Sequence, residues 1–110
     1  MGDESDWKKF REITPVLRER YIAERNRRLE RILADPGRTE TERFWKASEL
    51  LEKEARVLRR CLDGHSRSKM WLYLLEMKRA GMLRPEDMTG FSEKLRGEVF
   101  DDPRRFDAGT

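Results

Sequence analysis

The sequence predicts an all-α protein: a compact antiparallel bundle of four main helices preceded by a short N-terminal one. Three observations carry that expectation. Sustained polar–apolar alternation is missing and β-branched residues are few, so strands have little signal to start from. Apolar residues instead recur every three or four positions, which gathers them on one face of a helix. Between those periodic stretches fall helix-ending and helix-starting residues: "TP", "DPG", "TETE", "DGHS" and "RPED".

The first helix is "DESDWKKFREI", with acidic residues and a Ser5 cap ahead of Trp7 and Phe10. Thr14-Pro15 ends it, because proline has no N–H to donate inside a helix and suits the first position of the next one. One helix kinked at Pro15 is the alternative. Residues 15–34 form the second helix, with Leu17, Tyr21, Leu29, Ile32 and Leu33 on one side. Asp35-Pro36-Gly37 stops it. Thr39 with Glu42 three positions on is a capping box, which satisfies two otherwise unpaired backbone donors.

The third helix covers 40–62. Phe44, Ser48, Leu51, Ala55, Leu58 and Leu62 alternate four-residue and three-residue steps, the spacing of a pairing seam. Leu50, Val57 and Cys61 form a second stripe beside it, so this helix is expected at the centre. Gly64 suits a left-handed helix end. Ser66 caps a fourth helix, apolar all round from Met70 to Leu75 and ending at Gly81. Pro85 opens a fifth, with Glu86 and Asp87 favourable near its positive end and Met88, Phe91, Leu95 and Val99 facing inward. Residues 1–100 therefore read as one helical domain and 101–110 as a loose tail.

The charge balance narrows function. Of 110 residues 43% are charged, but 25 basic against 22 acidic side chains leave only +3, far from the clustered excess of a DNA-coating protein. A single cysteine fits a reducing cytoplasm better than secretion, and no apolar run approaches the ~20 residues that span a bilayer. Expectation is thus a cytoplasmic protein without a membrane segment. No paired carboxylates, metal cluster, glycine-rich phosphate loop or nucleophile–base set emerges, so no catalytic residue, metal or cofactor is assigned.

Reactive side chains crowd only in "CLDGHSRSKM", residues 61–70. Cys61 continues an apolar stripe and Gly64 separates it from His65, so the pair reads as a buried thiol and a loop histidine. Ser66, Arg67, Ser68 and Lys69 stand at the expected start of a helix, where free N–H groups favour anions. Cations in a first turn are disfavoured, so Arg67 and Lys69 are expected to meet either internal carboxylates, the favoured reading, or a phosphate-like ligand.

Arg20, Arg27 and Arg31 line one face of the second helix, with Glu24 interrupting them. They are the candidate nucleic-acid contacts, though alternating signs more often mean a solvated face. Arg18 is expected to pair with Glu54 across the hairpin and fix its register. Trp45 stands on the charged side of the third helix, away from both stripes, and marks a protein interface or a homodimer contact. Its alternative is burial under Trp7 and Phe10 folding back over it. A protein-interaction module, self-associating or with another partner, is therefore the leading reading and a nucleic-acid-associated regulator the second.

Overall fold

The computed structural model describes residues 2–100. Among them are four α-helices and no strand: α1 (Gly2–Leu33), α2 (Glu40–Leu62), α3 (Met70–Arg79) and α4 (Glu93–Phe100). Short 3-10 turns occupy Arg67–Lys69 and Pro85–Met88. The all-α expectation holds, while the tail expected over 101–110 lies outside the described residues.

No separate N-terminal helix exists, because α1 runs unbroken through Pro15. An interior proline costs about 3 kcal/mol by removing one hydrogen bond and crowding the preceding turn. Phe10 lies before it and Leu17 and Tyr21 after it, all buried on one face against the same core. Each contributes about 1.5–3 kcal/mol by leaving water, so together they outweigh the break. Pro15 itself sits on the exposed side, where the carbonyl it leaves unpaired can reach water. Thr14 Oγ1 folds back to donate to the Phe10 carbonyl at 2.7 Å.

The turn into α2 follows the sequence closely. Asp35 Oδ1 accepts from Gly37 N–H at 2.9 Å, and Arg43 donates to the Asp35 carbonyl at 2.7 Å. Thr39 and Glu42 close the expected capping box, at 3.1 and 2.8 Å. The hairpin uses the second stripe of α2 and not the seam. Ala47, Leu50, Glu54 and Cys61 are buried toward α1, while Phe44 and Leu51 are exposed. A polar demand explains the choice. Tyr21 on the buried face of α1 needs an acceptor, and only this line brings Glu54 to its hydroxyl.

After α2, Gly64 takes φ +73, the left-handed conformation, and Tyr73 Oη donates to the Asp63 and Gly64 carbonyls at 2.6 and 3.1 Å. The α-helical turns of α3 start at Met70, later than expected, since Ser66 stands before a 3-10 turn and makes no side-chain cap bond. At the other end, Gly81 (φ +78) closes a Schellman arrangement in which Met82 N–H reaches the Met77 carbonyl at 2.8 Å. The expected fifth helix is divided. Asp87 turns back to accept from Arg84 N–H at 2.7 Å, so Pro85–Met88 stays a single turn, and Gly90 follows. The chain restarts at Ser92, whose N–H and hydroxyl both bond the buried carboxylate of Asp6 on α1, at 2.8 and 2.7 Å.

The core gathers at one end of the hairpin. Phe10, Leu17, Cys61, Leu74, Met77, Met82, Met88 and Val99 are essentially water-free there, under α3 and α4. Met70, Met77, Met82 and Met88 are packing residues, as their spacing suggests. Beyond Tyr21, α1 and α2 project as a two-helix arm. The molecule accordingly measures 56 × 36 × 22 Å with a radius of gyration of 17.3 Å, against about 13 Å for a compact chain of this length.

Candidate functional site

The arm is held by a polar cluster inside its helix pair. Tyr21 Oη donates to Glu54 Oε1 at 2.5 Å, and Arg25 Nε lies 3.3 Å from Glu54 Oε2. The Arg25 guanidinium also stacks over the Tyr21 ring, 3.9 Å from its centroid. Burial, then the Glu54 bond, pushes the Tyr21 phenol up to about 12. The expected Arg18–Glu54 pair is not formed. Arg18 lies beside Glu19 on the exposed surface, and Arg25, two turns nearer the hairpin bend, takes Glu54 instead. The register of the hairpin turn decides this.

With that line turned inward, the seam of α2 faces out over its first half. Phe44 and Trp45 are each 61% exposed and Leu51 is 54% exposed. Leu33, at the end of α1, is 51% exposed and shares a shallow cleft of about 540 Å³ with Phe44 and Trp45. The Phe44 and Trp45 rings meet edge to face, 5.1 Å apart. Farther along the seam, Ser48, Ala55, Leu58 and Leu62 are half-buried. Isolated exposed apolar residues are ordinary, whereas here four large ones are grouped on one arm.

Trp45 thus stands where its position suggested. Trp7 and Phe10 do not reach it: they stack on each other at the far end of the hairpin, with Phe10 fully buried against His65. Periodicity alone places Phe44, Leu51 and Leu33 on inward stripes, and the structure exposes all three. The available signal was the excess itself, two stripes on one helix with too few helices to cover both.

The 61–70 stretch is a turn with its reactive groups engaged. Cys61 is fully buried, and burial raises its thiol above the ordinary value. His65 Nε2 lies 2.7 Å from the Cys61 carbonyl, and its ring packs between Phe10 and Tyr73. Arg67 forks onto Glu4 of α1, at 2.7 and 3.2 Å. Ser66, Arg67 and Ser68 edge an open cleft of about 710 Å³ with Trp71, Leu95 and Glu98, while Lys69 points to solvent outside its lining.

The three arginines of the nucleic-acid reading do not converge. Arg20 forks onto Asp87, at 2.7 and 3.0 Å, and reaches the Met82 carbonyl at 2.9 Å, tying α1 to the turn before α4. The Asp87 bond raises its pKa further. Arg27 pairs with Glu30 on the surface. Arg31 lines a small cleft with Arg28, Lys46, Ile32 and Asp35.

Among the described residues no group of three or more His, Cys, Asp or Glu side chains is placed to hold a metal, and no helix is long and apolar enough to cross a membrane. No family model matches the chain, and neither the curated proteins nor the solved structures contain a match to it.

Proposed function

We propose that this protein is a non-enzymatic helical interaction module, working in the cytoplasm, that docks another helical surface on the outer face of its α1–α2 arm. The single observation that carries this reading is the exposure of Phe44, Trp45, Leu51 and Leu33 together on an arm that has only two helices. Aromatic side chains grouped on an accessible face are what interface centres are made of. A compact antiparallel bundle is completed when that face is covered, since the second pair of helices the arm lacks then comes from the partner. The reactive groups support a structural use: Cys61 is buried, His65 is held by Phe10, Tyr73 and the Cys61 carbonyl, and Arg67 is neutralised by Glu4. The free, buried thiol of Cys61 suits a reducing compartment.

The reading requires that the outer face be dispensable for folding. A Phe44→Ser/Trp45→Ser/Leu51→Ser variant should keep its helical circular dichroism and unfold cooperatively, with stability changed by about 0.5 kcal/mol or less per exposed site. Loss of about 2 kcal/mol or more per site, the scale of a core truncation, would show that the face belongs to the fold and would end the proposal.

A further inference from the structure

The seam of α2 carries a pattern that selects its own occupant. Phe44, Ser48, Leu51, Ala55, Leu58 and Leu62 are spaced symmetrically about the level of Lys53, with Phe44 and Leu51 open to solvent and Leu58 and Leu62 partly covered by the base, each keeping an accessible edge. Reversed end for end, the row reads the same in position. Phe44 then falls opposite Leu62, Ser48 opposite Leu58, and Leu51 opposite Ala55, a large side chain against a smaller one at the centre.

The charges flanking the row have a matching asymmetry. Glu49 and Glu52 stand on its N-terminal half and Arg56 and Arg59 on its C-terminal half, all exposed. Among the described residues none of the four makes an ion pair or a side-chain hydrogen bond. Laid parallel about a twofold, the charged flank of one copy would meet the opposite flank of the other, where Ala47, Leu50 and Glu54 already turn inward, and the four charges would find no partners. Laid antiparallel, Glu49 and Glu52 come level with the second copy's Arg56 and Arg59, and Trp45 comes within reach of the second copy's Arg59 for a cation–π contact.

We infer that the occupant of the outer face is a second copy of this chain, packed antiparallel along α2 about a twofold axis at the level of Lys53. This rests on the docking face proposed above and names its partner. The two arms then form a four-helix unit in which each Leu33 and Phe44 flanks the far end of the other copy's seam. A twofold contact is isologous, so one surface serves both sides and the assembly closes at two.

The test is solution mass combined with charge reversal. Wild-type protein should have twice the monomer mass by light scattering. Glu49→Arg/Glu52→Arg and Arg56→Glu/Arg59→Glu should each be monomeric while keeping their helical dichroism, and an equimolar mixture of the two should regain the doubled mass. A spin label at Glu40→Cys should report a pair separation of ~39 Å, twice the 13 residues to the axis at 1.5 Å rise per residue. A wild type of monomer mass overturns the second copy as occupant, while the serine variant separately decides whether the face is free of the fold, as the docking reading requires. Charge variants that dimerise like wild type, or a short distance between Glu40 labels, overturn the antiparallel arrangement.

Discussion

The two ends of the α1–α2 hairpin use the same kinds of residue to different result. At the base, α3 and α4 close over the pair, and Phe10, Leu17, Cys61, Leu74 and Met77 leave water entirely. On the arm, Ala47 and Leu50 are buried while Phe44, Trp45, Leu51 and Leu33 are not. Hydrophobicity does not separate the two regions; the number of helices available to cover them does. The base is stabilised mainly by apolar burial. The arm depends on one polar cluster, Tyr21–Glu54–Arg25, and on the bonds around its bend. The base thus holds the buried core, and the arm leaves its apolar surface uncovered, which is the face proposed above for docking.

The largest effect should come from truncating matched leucines on the two regions. Leu74→Ala at the base should cost about 2–5 kcal/mol in urea denaturation, a cavity at a site with no exposure. Leu51→Ala on the arm should cost under about 1 kcal/mol at concentrations where the chain is monomeric. Equal costs would break the contrast. Next is Glu54→Ala, which leaves the buried Tyr21 hydroxyl without its acceptor and half-buried Arg25 with Glu24 alone, and should cost about 3 kcal/mol. Hydrogen exchange sharpens this: the variant should lose protection in residues 22–53 well before residues at the base.

Much of this division was legible in the sequence. The bend at 35–39, the capping box of Thr39 and Glu42, the extent of α2 and the burial of Cys61 and the methionines all follow from local chemistry. So does the isolation of Trp45, which lies off both stripes. What could not be read was any choice between two workable stripes. The seam from Phe44 to Leu62 is the more regular one, yet the stripe containing Glu54 packs inward, because Tyr21 thirty-three residues away needs its carboxylate. Pro15 is similar: its local penalty is plain, but the burial of Phe10, Leu17 and Tyr21 that overrides it is a tertiary fact. Long-range polar pairs such as Arg20–Asp87 and Asp6–Ser92 leave no periodic trace, and they are what shortened the expected fifth helix.

Pro15 supplies the third prediction. Pro15→Ala restores a backbone donor in the middle of α1 without touching the core, since the ring is on the exposed side. The helix gains up to about 3 kcal/mol, and the more flexible unfolded chain takes back about 1 kcal/mol, so a net gain of about 2 kcal/mol is expected. The melting temperature should rise with no change in oligomeric mass. A loss of stability would mean the proline bends α1 in a way the base requires.

The smallest effect, and the one that tests the base as a separate unit, is acid sensitivity. Burial works against ionisation of Asp87, but the Arg20 bond, the Arg84 N–H and the two nearby guanidinium charges outweigh it and hold its pKa below the ordinary value. A depressed folded pKa means stability that is fully present above the unfolded value, about 3.9, and lost as pH falls through the folded one. The partly exposed pair contributes about 1 kcal/mol. Wild type should therefore lose stability below about pH 4 more steeply than Asp87→Asn, which carries no such proton linkage. The loss should open residues 82–99, where Asp87 joins α1 to the segment leading into α4, and leave the arm's own bonds in place. If the arm opened at the same pH in step with that segment, base and arm would be one cooperative unit, and the uncovered face would be read as a strained part of a single core instead of a surface held ready for a partner.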